Sequence, residues 1–421
     1  MQHIAASFGG QIAFLLTNFI LFLYLIKGFS TSEYGAWAIY ITLISIADGI
    51  RQGFVQNGFI SFFIRDNHSK SLTWSAFSLN TMLIVFLSII GVVTTAMWSG
   101  LTQETELLLK QSWKTLISIG LLQFFNSYYQ AHKNQVLYLI NNIIYLSAFI
   151  IVITFWGLTS TIGLQDVQTI QVLTIIPSFI FFLIKAGKPS LPQWKEAREL
   201  MAFGKYAAGT NLSSLLFHKV DILMIGYFLN PSAVAVYHLT MKVLAYAELP
   251  MQALSQFIYP KMVDSLHANG VSHLNKIYSR SILMLLVFVI PVSLILILFN
   301  RQIILLLSTA EYLQASELII MFAMVMMIKP WGRIFGLSLD AIGKPRVNFL
   351  MLLFSLAVNV TLNLILIPKY GLYGGALATT ISITSTITIG QILLAKTQHF
   401  NPLKETIHFV RKIKKQDLSW T

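Results

Sequence analysis

The sequence predicts an all-α polytopic membrane protein: about twelve transmembrane helices in two pseudo-symmetric six-helix lobes around a central cavity. Three observations predict it. Apolar residues make up 56% of the chain and charged residues 11%, with a mean hydropathy of +0.70, whereas a soluble domain carries about a quarter charged residues. Apolar runs of roughly 20 residues, enough to cross a bilayer, recur from end to end. Finally, features of the first half return about 200 residues later.

The runs fall near 4–26, 34–62, 72–98, 112–131, 136–156, 166–186, 203–228, 232–262, 280–299, 313–340, 347–367 and 374–396. No connection exceeds about 20 residues, so no soluble domain is expected between spans. The net charge of +13 is not one patch and is no nucleic-acid signal. Sorted by side, 18 Lys and Arg share the side of the termini, among them Arg65, Lys70, Lys133, Lys185, Lys344 and Arg346. Five, namely Lys27, Lys110, Lys114, Arg301 and Lys369, lie opposite. The positive-inside rule then puts both termini in the cytoplasm. No cleavable signal peptide is expected, because no Lys or Arg precedes a first run too long for an h-region. Zero cysteines exclude disulfides, thiolate metal sites and cysteine nucleophiles.

At an offset of 200, Ser32 meets Ser232, Trp37 meets Tyr237, Asp48 meets Glu248 and Gln56 meets Gln256. Both segments open with a helix-start signal: Ser30 with Glu33 as a capping box, and Asn230 before Pro231. The turn at Gln130-Ala131 matches that at Asp340-Ala341, and Trp156-Gly157-Leu158 matches Tyr370-Gly371-Leu372. Six spans per half make the repeats parallel in topology, an arrangement that suits alternating access. The expected divisions are an N-lobe at 1–186, a cytoplasmic linker at 187–202, a C-lobe at 203–396 and a basic cytoplasmic tail at 397–421. The linker's Lys195-Glu196-Ala197-Arg198-Glu199 run is expected to lie along the headgroups. The tail, with Leu403, Ile407, Val410 and Ile413 near one helical face, reads either as a surface helix on anionic lipid or as a disordered basic segment.

Eight charged residues interrupt the spans. Each costs about 2.5–3.5 kcal/mol at a span's centre on translocon scales, so they are expected to face one another or water. Arg51, Lys219, Lys242, Lys329 and Arg333 are candidate substrate-binding bases of a cavity suited to an anion. Asp48, Asp221 and Glu248 are candidates for ion coupling or for pairing. Asp48, three residues before Arg51, is its obvious structural partner. Lys219 could instead snorkel to the interface, and Asp221 could pair with Lys219, Lys242 or His218. His218 and His238 read as satisfied structural residues or as groups titrating near neutrality. Arg51 and Arg333 lie within glycine pairs, Gly49/Gly53 and Gly332/Gly336, of the small-xxx-small type. Pro250 and Pro330 beside charges predict kinks, and Trp331 could stack on a sugar. No Walker A loop, HExxH motif, His/Cys cluster or carboxylate pair placed for hydrolysis occurs. No catalytic or metal site is expected, and the chain reads as a non-enzyme.

Several stretches carry a family likeness: Ser32-Glu33-Tyr34-Gly35-Ala36-Trp37, the run 219–229 from Lys219 to Leu229, Ala341-Ile342-Gly343-Lys344-Pro345-Arg346, and 359–376 from Asn359 to Ala376. In their order and spacing the chain resembles the polysaccharide (O-antigen) flippases. These are Wzx-type members of the multidrug/oligosaccharidyl-lipid/polysaccharide exporter superfamily. The resemblance implies a bacterial inner-membrane protein that moves an undecaprenyl-pyrophosphate-linked glycan, such as an O-antigen repeat unit of lipopolysaccharide, to the periplasmic leaflet. It implies alternating access, no cofactor beyond a proton or sodium gradient, and polymerase and chain-length proteins of the same pathway as partners. Two rivals stand beside it. A multidrug antiporter of the same superfamily would favour a cavity of net negative charge, against the net +2 of the eight groups. A membrane-embedded glycan polymerase or ligase would display a large outer loop, whereas the outer loops here, 99–111 and 300–312 among them, are short.

Overall fold

Cap chemistry fixes where the helices begin. Ser30 and Glu33 close a reciprocal box, the Ser30 amide donating to Glu33 Oε2 (3.0 Å) and the Glu33 amide to Ser30 Oγ (3.3 Å). Asn134 Oδ1 accepts from the Leu137 amide (3.1 Å) and Asn230 Oδ1 from the Ala233 amide (2.9 Å), so each satisfies an N–H that the helix leaves unpaired. The structure, a computed structural model, describes residues 2–65, 70–97, 102–269 and 274–398. The expectation for the tail lies outside these residues.

The helices run α1 (Gln2–Gly28), α2 (Thr31–Arg65), α3 (Lys70–Met97), α4 (Gln103–Lys110), α5 (Ser112–Ala131), α6 (Gln135–Thr159), α7 (Leu164–Ala186) and α8 (Trp194–Phe228). They continue with α9 (Pro231–Ala247), α10 (Leu249–Asn269), α11 (Leu274–Leu298), α12 (Asn300–Leu307), α13 (Ala315–Met326), α14 (Lys329–Ala341) and α15 (Pro345–Gln398). Among the described residues seven helices are long and apolar enough to cross a membrane, and α13 with α14, bent by 47°, make an eighth. α15 breaks at Gly371, whose φ of 58° suits glycine, and so supplies two spans. The remaining expected spans are α5, α8 and α9–α10. They are the ones diluted by Gln123 and Asn126, by Lys219 and Asp221, and by Lys242 and Glu248. The twelve expected runs thus correspond to helix, with Pro250 and Pro330 each beginning a new helix beside a break. Loops 99–111 and 300–312 are not plain loops: each holds an eight-residue helix, α4 or α12.

The chain divides into two compact units, Met1–Leu216 and Phe217–Thr421. This differs from the expected linker at 187–202. α8 starts at Trp194, and its first half belongs to the first unit. Glu196 accepts from Ser71 Oγ (2.9 Å) and Ser75 Oγ (2.6 Å), and Leu200 is fully buried. The Lys195–Glu199 run therefore opens a helix docked on α3. A charge-dense sequence next to prolines reads as linker, yet one hydrogen-bonded carboxylate is enough to seat it.

Within the first unit, α5 packs against α2, α3, α6 and α7, and α1 lies along α6. The core is aromatic, with Phe125 stacked on Phe182 at 4.5 Å and 15°. Within the second unit, α13 and α14 take the place of α5, touching α9, α10, α11 and α15 between them. The small-xxx-small pair of α2 serves close approach. A Cβ on Gly53 would lie 2.2 Å from the Ala208 Cα, and one on Gly204 would lie 2.5 Å from the Phe54 Cα. Gly332 and Gly336 instead meet the side chains of Ile387 and Asn348. Gly53→Val should therefore cost about 1–3 kcal/mol through overpacking and lower the melting temperature in detergent. Gly28→Ala, with nothing within 4 Å of the added carbon, should not.

Candidate anion and cation sites

In the first unit Arg51 is wholly buried. Its Nε donates to Asp48 Oδ1 (2.7 Å), its Nη1 to Asn80 Oδ1 (2.5 Å) and its Nη2 to Gln123 Oε1 (2.9 Å). Gln52 donates to the other Asp48 oxygen (2.7 Å). The guanidinium is thus enclosed by one carboxylate and two amide oxygens from α2, α3 and α5. This departs from the expectation that Arg51 lines an open cavity: its fork is occupied, and no face is left for a ligand. Buried pairs of this kind hold helices in register, and losing one partner typically costs about 3–5 kcal/mol because the other charge is stranded.

The second unit is built differently. Glu248 caps the end of α9, and Lys329 opens α14, so both sit where a span is broken. Their side chains form an ion pair, which ties one break to the other. One turn on, Arg333 is exposed, and its Nε donates to Ser255 Oγ of α10 (3.0 Å). Asp340, within electrostatic reach of Arg333, is held by Asn348 Nδ2 at 3.2 and 3.4 Å. His218 feels the charges of Lys219, Glu248 and Lys329. Lys219 and Lys242 lie within each other's field, and among the described residues neither has a carboxylate at ion-pair distance. His238, fully enclosed, faces the same two ammonium groups. Two half-buried, like-charged side chains of this sort repel unless an anion lies between them.

Asp221 does not pair with Lys219, Lys242 or His218. It is 4% exposed, and only neutral groups serve it: Asn363 Nδ2 on Oδ1 (2.5 Å), with Tyr237 OH (3.0 Å) and Thr379 Oγ1 (2.7 Å) on Oδ2. Asn359 donates to Thr379 (3.2 Å) and accepts from Asn363 (3.0 Å). Asn363 Oδ1 is buried without a donor. Lys219 misses Asp221 because two residues turn about 200° around a helix, which puts them on opposite faces of α8. Asn359, Asn363 and Thr379 were not singled out from sequence, although an Asn pair at i and i+4 in an apolar run was a visible signal.

These contacts predict opposite outcomes for the two arginines. Arg51→Met should lower the melting temperature and membrane yield sharply, and Arg51→Met with Asp48→Leu should recover part of the loss. Arg333→Ala should leave both close to wild type, as read by fluorescence-detected gel filtration after heating.

The fold is shared with known proteins. The family model described as polysaccharide biosynthesis protein matches residues 29–317. A protein of Haloferax volcanii named as a probable low-salt glycan biosynthesis flippase, Agl15, is 29% identical over 191 residues, 45% of this chain and 40% of that relative. The matched stretch thus spans less than half of the curated relative. In fold, the chain is similar to an inward-facing multidrug resistance MATE family transporter of the MOP superfamily, with a TM-score of 0.75 and 12% identity, covering 97% of this chain and 96% of that one. It is also similar to the lipid II flippase MurJ in an inward closed conformation, with a TM-score of 0.72 and 19% identity, covering 99% and 94%. With a family match across most of its length, the chain belongs to the polysaccharide biosynthesis protein family and has the fold of the MOP superfamily.

Proposed function

We propose that this protein is a flippase for a lipid-linked oligosaccharide, moving the glycan and its phosphate-bearing head across the bilayer by alternating access. One observation carries the reading: among the described residues of the second unit Lys219, Lys242 and Arg333 have no carboxylate at ion-pair distance, and Lys329 holds Glu248. A phosphate or pyrophosphate ester supplies the missing charge, and charge-assisted hydrogen bonds to it are worth about 1.5–3 kcal/mol each. Trp331 stands between Lys329 and Arg333 with its carbonyl engaged by Tyr278 and Gln391 (3.4 and 3.3 Å) and its indole N–H buried without an acceptor. On this reading Trp331 would stack on a sugar of the glycan. Family membership and the names of relatives support the flippase class. The finer reading is an undecaprenyl-pyrophosphate-linked O-antigen unit in a bacterial inner membrane, with both termini cytoplasmic and polymerase and chain-length proteins downstream. A drug antiporter for organic cations fits this base excess poorly. The short connections between helices disfavour a polymerase or ligase.

Asp221 is proposed as the coupling site. A carboxylate, two amide oxygens and a hydroxyl are hard oxygen donors, suited to sodium or to a proton on the acid itself. Coupling to either gradient would use the helix that also carries Lys219.

Lys242→Ala and Arg333→Ala should each cut glycan display at the cell surface at least about tenfold and leave lipid-linked intermediates on the cytoplasmic leaflet, with normal protein levels. Wild-type display in both variants would remove the cationic-site reading. For coupling, sodium chloride but not choline chloride should raise the melting temperature of the purified protein. A hundredfold excess over Kd supplies about 2.7 kcal/mol, and Asp221→Asn should abolish the rise. A rise produced by acidification alone would assign the site to protons. No response to either would end the coupling proposal.

A further inference from the structure

A second basic site lies in the first unit, apart from every group used above. A cavity of about 240 Å³ is walled by Lys70, Thr73 and Trp74 of α3, Tyr128 of α5, His132 at its C-cap, and Lys185 of α7. None of its lining residues is acidic. His132 Nδ1 donates to the Tyr128 carbonyl (2.9 Å), its ring is 4.2 Å from that of Tyr128, and Tyr128 OH donates to the Lys185 carbonyl (3.3 Å). The polar wall is therefore held in place by its own contacts. Trp74 is 7% exposed, and its indole nitrogen is buried without a hydrogen-bond partner.

Helix electrostatics explain only part of this. Lys185, in the last turn of α7, complements the negative end of that helix. Lys70 does the reverse: it opens α3, where a positive charge opposes the macrodipole. A lysine in an unfavourable place, a second lysine and an imidazole converge on one acid-free cavity beside an unsatisfied indole N–H. We propose that this cavity binds a phosphate ester, the head of an anionic phospholipid being the natural source. Ile180 and Ile184 on α7, 52% and 70% exposed, would offer apolar surface to the phospholipid's acyl chains. Basic pockets between spans on the side counted here as cytoplasmic are suited to such heads.

Native mass spectrometry of the full-length protein in detergent tests this, using phosphatidylglycerol, phosphatidylcholine and inorganic phosphate as probes. Phosphatidylglycerol should be retained, and Lys70→Gln with Lys185→Gln should weaken its retention about tenfold or more. Lys188→Gln with Lys195→Gln, equal in charge removed, should not weaken it. Retention of inorganic phosphate without phosphatidylglycerol, lost in the first double variant, would keep the site and assign it to a free anion. Phosphatidylcholine binding as well as phosphatidylglycerol, equal retention by both double variants, or no retention of either anion would overturn the proposal. Melting temperatures of the variants, expected to match wild type because both lysines are exposed, separate loss of the site from loss of fold. Thr73→Val, which removes a hydroxyl from the wall without altering charge, gives a second, milder variant expected to weaken phosphatidylglycerol retention.

Discussion

A charge buried in an apolar span must be answered by another charge or by dipoles, and this requirement organises both halves of the chain. In the first half the answer is complete. Arg51 is surrounded by Asp48, Asn80 and Gln123, so its cost is met locally and three helices are locked together. In the second half the answer is partial. Glu248 and Lys329 meet at the breaks of two spans, while Lys219 and Lys242 lie within each other's field and, among the described residues, have no carboxylate at ion-pair distance. The breaks themselves free backbone groups that a bilayer cannot hydrate, which is tolerable only beside polar groups of this kind.

The halves therefore share a plan and differ in chemistry. Asp48 and Glu248 occupy matching positions, and α4 and α12 lie at matching points between the third and fourth spans of each half. An arginine crosses the same helix pair in both, in opposite senses: Arg51 reaches from α2 to Gln123 on α5, and Arg333 reaches from α14 back to Ser255 on α10. Moving the arginine from one helix to the other changes its surroundings from closed to exposed. The first unit encloses its arginine completely, and the second leaves Arg333 exposed.

Most of the architecture was legible because its causes are local. Hydropathy marks spans, Ser30, Asn134 and Asn230 mark starts, and prolines beside charges mark the breaks near Glu248 and Lys329. Partners were not legible, because they depend on how far each helix is rotated and on residues distant in sequence. Arg51 meets Gln123 from 72 residues away, and Asp221 meets Asn363 and Thr379 from 142 and 158. The seating of Glu196 was hidden for the same reason: Ser71 and Ser75, which donate to it, lie more than 120 residues earlier.

Lys219 and Asp221 show what such rotation can achieve. Two opposite charges two residues apart would ordinarily neutralise each other, but α8 turns them into separate surroundings. Among the described residues one has no carboxylate at ion-pair distance, and the other has neutral donors only. On the proposed reading each attracts an ion of the opposite sign, and the two demands remain linked by their field. At a separation of roughly 10 Å and an effective dielectric constant of about 20, the interaction is on the order of 1–2 kcal/mol. A cation or proton at Asp221 would remove a negative potential from Lys219 and so strengthen its hold on a phosphate. By reciprocity the phosphate would tighten the cation's binding by the same factor. The sign of that linkage favours loading the two together and requires no contact between the ligands.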